Sequence, residues 1–566
     1  MKENKFYQVF AAQLEGEYKS INHEQAKNSA ESLACRIPTL LSVQDDDGNE
    51  RILAMCDISQ SGGDCGRIQV VQRTSTDGGK TFGDMTTVLS LPVAKTPQEA
   101  NEYHCAFAID PVLCQCKSGD IMMVVDMFPE SKAIMHKPWL YKGSGYTEVD
   151  GKKYLALYEG ETKVGGVKST VDLKKAYTVR ENGWVYTPDG RKTKYYIAQK
   201  HSGDNAFETM GDMYYSVGEE GEYIEKTAPM MPEKEGHDIY VGNIYLSFGK
   251  SEFNENEPKA VEKRVVSPEN KGELYSKYTC TETFPAPLSA LPTLHLFMLK
   301  SSDYGRTWSQ PVDISHFVKA DDEIFLGTGP GVSLRLDRQK EESKNGRIIV
   351  PVYNLKDTFV IYSDDEGETW HRSSSTKNID ETQVIEGGDG TLYCFGRQKL
   401  LDKTPLSISC DGGESWKKAK PSHLTSVRCQ KALMTLPENS SSFPYPEGMD
   451  KNKRYVVAST TTGWYQKKSA RFGGVVTLGE IDADKINWLK QRKIITEGIT
   501  GKWDNFYAYS AFTMLSNGKI GLLYEALPIS LICFRSFTLD WLWQGEEAMK
   551  FPLPLISRIR RIFRKW

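Results

Sequence analysis

Apolar and polar residues alternate in short pieces along this chain of 566 residues, and turn residues separate the pieces. Residues 153–158 and 177–186 are two examples, and the pairs Asn182-Gly183 and Asp189-Gly190 provide turns. Alternation with a period of two residues predicts antiparallel strands that are joined by tight turns. Glycine is frequent, with 47 residues, and aromatic residues make up 11% of the chain, which also favours strands over a helical bundle.

One short pattern occurs four times and has the consensus Ser-x-Asp-x-Gly-x-Thr/Ser-Trp/Phe. Its copies are residues 75–82, 301–308, 363–370 and 409–416. We expect the aspartate to fold back onto backbone N–H groups, the glycine to supply a positive φ, and the aromatic ring to pack under the turn. The pattern is called an Asp box. Each copy predicts a hairpin turn on the outer rim of the fold rather than a ligand site.

The spacing of the Asp boxes indicates a β-propeller. Successive copies begin 62 and 46 residues apart, at Ser301, Ser363 and Ser409, which is the length of one four-stranded blade. The gap from Ser75 to Ser301 is 226 residues, too long for one blade, so something is inserted there. Without an insert of about 160 residues, about 400 remain, enough for six blades of about 65 residues each.

We therefore predict an all-β protein, a six-bladed β-propeller with an inserted small β-rich domain. The expected domains are 1–130 for the first part of the propeller, 131–292 for the insert, 293–545 for the remainder of the propeller and 546–566 for a basic C-terminal tail. The last nine residues of the tail include five basic ones. We interpret the tail as a solvated terminus, with contact to an anionic membrane or polymer as the alternative.

The charge balance argues against a general polyanion binder. Lys and Arg number 71, Asp and Glu number 75, and the net charge is −4, so no nucleic-acid partner is expected. The best candidate for a transmembrane helix, residues 520–534, has 15 residues and contains Glu525, whereas roughly 18 are needed. Residues 6–12 are too short for a signal peptide and are interrupted by Gln8. The default localisation is therefore cytoplasmic.

The eleven cysteines show neither a disulfide framework nor zinc-binding spacing. Cys114 and Cys116 face the same side of a predicted strand, but a metal site there is disfavoured, and no histidine pair has metal spacing. We expect no catalytic metal and no cofactor. The segment 327–331, Gly-x-Gly-Pro-Gly, lacks the strand–loop–helix context of a phosphate-binding loop, so it predicts a turn beside the pocket.

An Arg-Ile-Pro block at Arg36 followed by Asp boxes resembles the sialidases (neuraminidases) of bacteria. The chain looks most like the large secreted bacterial sialidases whose propeller carries an inserted β-rich domain. The resemblance covers residues 36–541 and is supported by the segments 126–130, 177–183, 185–190, 327–331 and 361–365. It implies a glycoside hydrolase, an exo-α-sialidase, that acts on sialylated glycans, glycoproteins or glycolipids. It also implies a secreted or cell-surface protein, against the cytoplasmic default.

The chemistry of sialic acid explains why this family binds its substrate with arginines. The sugar carries a carboxylate on its anomeric carbon, and the planar fork of arginine matches a carboxylate with two hydrogen bonds. The family uses three arginines, which the resemblance assigns to Arg36, Arg397 and Arg471. Taken one by one, each is also compatible with a surface charge, and Lys467 and Lys468 lie close to Arg471 in the sequence.

The same carboxylate would repel an Asp or Glu nucleophile, whereas a tyrosine phenol is neutral until it is deprotonated. A phenol with a pKa of about 10 needs a base nearby. The resemblance assigns the nucleophile to Tyr509, with Tyr507 as the rival, and the general base to Glu381, with Asp380 as the rival. It also assigns to Glu525 the carboxylate that orients the first arginine, since a glutamate in an apolar strand needs a charge partner.

The implied acid/base catalyst is Asp64, in a glycine-rich loop, which protonates the leaving oxygen and then activates water. The loop departs from the family pattern in two places. Cys65 stands where many relatives have Trp or Phe, and residues 58–60 lack an arginine that many relatives have. These differences affect the substrate contacts of the loop and the preferred linkage. Asp110 and Asp126 are further candidate carboxylates of the substrate-binding pocket.

Three functions fit these residues. The first is an exo-α-sialidase with retaining chemistry. The second is an intramolecular trans-sialidase, in which a glycerol hydroxyl of the substrate attacks and an anhydro-sialic acid is released. The third is a non-catalytic propeller that binds sialic acid, because Asp boxes also occur in propellers that are not enzymes. Convergence of the three guanidinium groups on one pocket with Tyr509 beneath them would favour an enzyme.

Overall fold

The computed structural model describes residues 6–11, 34–59, 63–64, 68–94, 106–129, 143–159, 175–198, 210–216, 218–222, 238–246, 282–283, 286–376, 380–397, 404–463, 471–482, 485–494, 496, 505–528 and 531–548. Strands dominate these residues. The short helices are α1 (Ser315–Val318), α2 (Leu539–Trp543) and two 3₁₀ turns, Glu181–Gly183 and Glu342–Lys344. Among the described residues, no helix is long and apolar enough to span a membrane. Most of the predicted basic tail, residues 549–566, lies outside the described residues.

The strands fall into three groups along the chain. The first group is β1 (Phe6–Ala11), β2 (Ala34–Gln44), β3 (Glu50–Ser59), β4 (Ile68–Ser75), β5 (Thr86–Leu89), β6 (Val93–Ala94), β7 (Phe107–Gln115) and β8 (Ile121–Phe128). The second is β9 (Tyr146–Val149), β10 (Lys152–Glu159), β11 (Tyr177–Val179), β12 (Trp184–Tyr186), β13 (Lys192–Ile197), β14 (Asp212–Tyr215), β15 (Ile239–Asn243), β16 (Glu282–Thr283) and β17 (Leu288–Ala290).

The third group completes the chain. It is β18 (His295–Ser301), β19 (Val312–Asp313), β20 (Gly327–Thr328), β21 (Gly331–Val332), β22 (Leu334–Arg335), β23 (Ile348–Tyr353), β24 (Thr358–Ser363), β25 (His371–Arg372), β26 (Thr382–Glu386), β27 (Leu392–Gly396), β28 (Leu406–Ser409), β29 (Lys417–Lys418), β30 (Ala432–Thr435), β31 (Arg454–Thr461), β32 (Gly474–Asp482), β33 (Lys485–Lys493), β34 (Ser510–Met514), β35 (Ile520–Leu527), β36 (Leu531–Phe537) and β37 (Glu546–Glu547).

Six of the sheets are the blades of a β-propeller, which confirms the predicted fold class. In order they are β2-β3-β4-β5; β21-β7-β8-β18-β19; β20-β23-β24-β25 with β22 beside β23; β26-β27-β28-β29; β30-β31-β32-β33-β37; and β34-β35-β36-β1. The last blade takes its outermost strand, β1, from the apolar segment near the N-terminus that is too short for a signal peptide. Because the two ends of the chain share one blade, the ring is closed by main-chain hydrogen bonds.

The second group of strands contributes a separate eight-stranded sheet, β15-β14-β13-β12-β11-β10-β17 with β9 beside β10. One face of this sheet, including Tyr195 and Met213, is buried in the same apolar cluster as Val125 and Phe297 of the second blade. The sheet lies within the segment for which an insert is predicted. The bounds of the insert as a domain stay a prediction.

The four Asp boxes lie at the turns between the two outermost strands of each of the first four blades. In the first box, Ser75 Oγ donates to Asp77 Oδ1 (2.8 Å) and accepts from the Gly79 N–H (2.9 Å), and Thr81 donates twice to Asp77. The other three boxes repeat these bonds. The residue before the conserved glycine is also left-handed, with φ of 61° at Tyr304 and 56° at Glu366, which the consensus does not reveal.

Substitution of Gly79 by alanine is expected to destabilise the protein because a Cβ there would lie 2.1 Å from the buried ring of Phe534. Gly48, with φ of 76° against 81° at Gly79, has nothing within 4 Å of such a Cβ and is the matched control. Backbone strain alone should lower the free energy of unfolding by about 1 kcal/mol at both positions, and the clash should lower it by about 2 kcal/mol more at Gly79. Urea titrations would measure both variants, and equal midpoints would contradict the role of packing under the box.

Hydrogen bonds at the centre of the ring join inner strands of different blades. Gln430 Nε2 donates to the carbonyls of Pro330 (3.0 Å) and Ser510 (3.0 Å), and its Oε1 accepts from the Ser510 N–H (3.0 Å). Gln383 Nε2 donates to the Pro330 carbonyl (3.1 Å), and Thr39 Oγ1 to the Gly331 carbonyl (2.5 Å). These bonds hold together the strand ends that carry the candidate site.

The glycine-rich segment 327–331 differs from the simple turn that its sequence predicts. Its two halves are the short strands β20 and β21, and these pair with different blades. The first pairs with β23 and the second runs parallel to β7. The segment therefore bridges the second and third blades next to the candidate site.

Candidate active site

A hydrogen-bonded triad of Tyr509, Glu381 and Arg397 lies at the centre of the propeller. Tyr509 Oη donates to Glu381 Oε1 (2.5 Å) and accepts from Arg397 Nη1 (3.1 Å). The same Arg397 nitrogen lies 2.6 Å from Glu381 Oε2. Tyr509 and Glu381 are 5% and 7% exposed, so the phenol and its partners are largely removed from solvent.

One hairpin explains why Glu381 and Arg397 lie side by side. Glu381 directly precedes β26 and Arg397 directly follows β27, and these strands pair Thr382 with Gly396. The Arg397 N–H continues the ladder by donating to the Glu381 carbonyl at 2.8 Å. The hairpin therefore accounts for the separation of 16 positions between Glu381 and Arg397.

The rival residues have other partners. Tyr507 Oη bonds Ser459 Oγ (2.5 Å), and its ring stacks on Tyr524 with centroids 5.0 Å apart. Asp380 accepts from Arg428 Nη2 (3.0 Å) and from the Glu381 N–H (3.0 Å), while its Oδ1 lies 3.8 Å from Arg397 Nη1. The geometry thus groups Tyr509 with Glu381 rather than Tyr507 with Asp380.

The other two arginines approach the same phenol. The guanidinium carbon of Arg471 lies 5.1 Å from the centre of the Tyr509 ring. Arg36 is close enough for the charge state of Tyr509 to affect its pKa. The three guanidinium groups and Tyr509 therefore share one region, although their roles in binding stay predictions.

Arg36 is held between two carboxylates. Its Nη1 donates to Asp64 Oδ1 at 2.5 Å, and Glu525 is the strongest charged neighbour that acts on it. Burial by itself lowers the pKa of Arg36, but the negative charges of Glu525 and Asp64 raise it above its ordinary value, so the side chain stays charged. Glu525 also accepts the Ile37 N–H at 2.9 Å. This bond holds Ile37 at a φ of 55°, in a bulge of β2.

Asp110 and Asp126 lie next to this group in different environments. Asp110 is half-buried, and its carboxyl is close enough to Glu381, Asp64, Arg36 and Arg397 for their charges to act on it. Asp126 is only 1% exposed, and its Oδ1 accepts the Thr328 N–H at 2.8 Å. Asp126 therefore faces backbone rather than the opening of the site.

The electrostatics keep Tyr509 protonated in the resting site and favour the protonated form of Asp110. Burial raises the pKa of Tyr509 well above 10, and the charge of Glu381 raises it further, while Arg397 and Arg471 oppose the shift. Burial, followed by the charges of Glu381 and Asp64, raises the pKa of Asp110 well above its ordinary value. The phenol is consequently a neutral donor to Glu381 near neutral pH.

Relatives of known type span most of the chain. The BNR repeat-like domain family matches residues 265–522. An anhydrosialidase of Macrobdella decora is 24% identical over 528 residues, which are 88% of this chain and 59% of the relative. Sialidase B of Streptococcus pneumoniae is 25% identical over 522 residues, which are 88% of this chain and 63% of the relative. The curated relatives of this chain are thus sialidases, and their sequences match most of the chain.

A solved structure of another protein shares the fold. The intramolecular trans-sialidase of Ruminococcus gnavus, in complex with oseltamivir carboxylate, superposes with a TM-score of 0.63 and 23% identity. The match covers 90% of this chain and 96% of that one. The chain spans about three fifths of the length of the two curated sialidase-family relatives.

Three further residues border the site and were not identified from the sequence. Asp57 is 4% exposed and accepts the Asp110 N–H. Lys431 is buried, which lowers its pKa to about 7, and donates to the carbonyl of Gly396, directly before Arg397. Tyr353 has a pKa raised by burial first and then by the charge of Glu381. A polar residue within or beside an apolar strand is the signal that all three share.

Within the described part of the chain, no cluster of three His, Cys, Asp or Glu side chains could hold a metal ion. Cys114 and Cys116 are both free and buried, and burial raises the pKa of Cys114 to about 11 and that of Cys116 to about 12. Residues 60–62 and 65–67 around Asp64, including Cys65, lie outside the described residues.

Proposed function

We propose that the protein is an exo-α-sialidase that removes terminal sialic acid from glycoconjugates with retention of configuration. The single observation that supports this most is the hydrogen bond of Tyr509 Oη to Glu381 Oε1 (2.5 Å), with Arg397 Nη1 3.1 Å from the same phenol. A neutral nucleophile with an adjacent base and arginines around it fits a substrate that carries its own carboxylate next to the reacting carbon.

In the first step, Tyr509 Oη attacks the anomeric carbon while its proton passes to Glu381. The bond to the leaving glycosidic oxygen breaks, and Asp64, which takes up a proton from solvent once it has left Arg36, gives that proton to the oxygen. In the second step, Asp64 takes a proton from water, water attacks the anomeric carbon, and the bond to Tyr509 breaks. The proton on Glu381 returns to the phenol. Two inversions leave the configuration unchanged, and one water is consumed overall.

The ion pair between Asp64 and Arg36 (2.5 Å) indicates that the substrate binds to Arg36 before Asp64 acts as the acid. Arg36 is one of the proposed ligands of the substrate carboxylate, and Asp64 is the proposed acid. The substrate carboxylate therefore replaces Asp64 on Arg36. The side chain of Asp64 is 42% exposed, against 16% for Arg36. When the pair separates, we therefore expect Asp64 to move toward solvent and Arg36 to stay in the site.

The second candidate is intramolecular trans-sialidation, and the activities of two relatives favour it. These are the anhydrosialidase of Macrobdella decora and the intramolecular trans-sialidase of Ruminococcus gnavus. In this reaction a glycerol hydroxyl of the bound sugar, rather than water, attacks the carbon held by Tyr509. The product is an anhydro-sialic acid, one water lighter than free sialic acid.

Digestion of 3'-sialyllactose in ¹⁸O-labelled water distinguishes the candidates. Hydrolysis gives free sialic acid that carries one heavy oxygen, and NMR of the first product shows the α anomer. Mass spectrometry would instead detect an unlabelled anhydro-sugar if transfer is intramolecular. Saturable binding of the glycan without release of lactose would overturn both enzyme proposals in favour of a binding propeller.

A further inference from the structure

Two buried carboxylates, Asp57 on β3 and Asp126 on β8, lie on either side of β7. They are 4% and 1% exposed, and neither forms an ion pair among the described residues. Asp57 Oδ1 and Asp126 Oδ2 also lack hydrogen-bond partners within that part of the chain. Buried carboxyl groups without a charge partner are costly, so their remaining contacts indicate what they do.

Both carboxylates hold the backbone around Asp110. Asp57 Oδ2 accepts the Asp110 N–H at 3.2 Å. Asp126 Oδ1 accepts the Thr328 N–H at 2.8 Å, and Thr328 Oγ1 donates to the Asp110 carbonyl at 2.7 Å. The N–H and the C=O of Asp110 are thus fixed from opposite sides, by side chains rather than by the ladder of the sheet.

The backbone that they hold is strained. The register of β7 against β8 shifts between Ile109 and Val112, and Asp110 in this bulge has a φ of 63°. A left-handed residue other than glycine persists only where its surroundings fix it, and a bulge re-aims a side chain. Here the bulge turns the Asp110 carboxyl toward the charges of Glu381, Asp64, Arg36 and Arg397.

The first arginine has the same arrangement. Ile37, next to Arg36, lies in a bulge of β2 with a φ of 55°, and its N–H donates to the buried carboxylate of Glu525 at 2.9 Å. The inner strands β2 and β7 thus share the same local arrangement. A buried carboxylate accepts the N–H of a left-handed residue where a side chain must point into the site.

We propose that Asp57 is a positioning residue of this site: it fixes the left-handed backbone of Asp110 and so determines where the Asp110 carboxyl meets the bound sugar. Thr328, held by Asp126, fixes the same residue from the other side. The effect on catalysis rests on the proposed function. The effect on the conformation of Asp110 rests on the geometry of β7 alone.

Kinetics with a fluorogenic sialoside and four variants test the consequence. We expect Asp57→Ala to raise KM about 10-fold with little change in kcat, since one buried hydrogen bond that positions Asp110 is lost. Asp57→Asn keeps an acceptor oxygen for the Asp110 N–H and should stay within about twofold of the unsubstituted protein. In an Asp110→Ala background, Asp57→Ala should change KM no further, because the side chain that it positions is absent.

A merely structural role gives different results. It would lower the melting temperature of Asp57→Ala without changing KM, or it would change KM equally in the presence and absence of Asp110, and either result overturns the proposal. If Asp57→Ala does not fold, Thr328→Val removes the other bond to Asp110 while keeping the side-chain shape, and the same dependence on Asp110 is expected.

Failure of the proposed function is recognised separately. If the unsubstituted protein does not cleave the sialoside, a crystal structure of the Asp57→Ala variant still tests the positioning. Residue 110 should leave the left-handed region when its N–H loses the acceptor. An unchanged φ at Asp110 would overturn the inference whatever the activity of the protein.

Discussion

Replacement of Tyr509 by phenylalanine is expected to lower kcat for a fluorogenic sialoside by on the order of 10³-fold or more, because the oxygen that we propose as the nucleophile is lost. The ring contributes packing at 5% exposure, and phenylalanine retains that packing. The hydroxyl is bonded to Glu381 and Arg397, which stay paired with each other at 2.6 Å after its removal. The fold and the melting temperature should therefore change little.

Tyr507→Phe is the matched control for this experiment. It removes the same hydroxyl two residues away, from a ring that is 1% exposed and bonded to Ser459 rather than to Glu381. We expect about 1 kcal/mol of destabilisation from the lost hydrogen bond and activity close to that of the unsubstituted protein. Loss of activity in Tyr507→Phe with retention in Tyr509→Phe would reverse the assignment.

Replacement of Arg397 by alanine is expected to affect both activity and stability. The loss of two charge-assisted hydrogen bonds to the substrate carboxylate should raise KM about 100-fold. Glu381, 7% exposed, would lose its guanidinium partner, and breaking a buried ion pair from one side costs about 3–5 kcal/mol. Kinetics and urea titration of the same variant would measure the two effects.

A double variant separates these effects. Arg397→Ala combined with Glu381→Ala removes both charges, so it should regain most of the lost stability while activity falls further. Arg428→Ala is the control, because that guanidinium is 62% exposed in its ion pair with Asp380 and should contribute less than about 1 kcal/mol. Equal destabilisation by Arg397→Ala and Arg428→Ala would contradict the burial argument.

The sequence can predict that Glu381 and Arg397 lie together. It cannot decide between Tyr507 and Tyr509. The first pair is joined by the local ladder of β26 and β27, so spacing alone places the residues together. Tyr507 and Tyr509 are the same type of residue and lie two positions apart, so the sequence pattern around them does not distinguish them. They lie in the irregular segment before β34, where alternation does not apply, and contacts with residues distant in the chain separate them.

The sequence by itself determined the Asp boxes, and through their number and spacing the propeller, because each box is a set of bonds among residues within eight positions of one another. The tertiary structure alone decided that residues 6–11 complete the last blade, that Asp126 faces backbone, and that Asp57 holds the bulge at Asp110. Those outcomes depend on which strands become neighbours and which carboxylates are buried. Such contacts link residues far apart in the chain, and no local pattern encodes them.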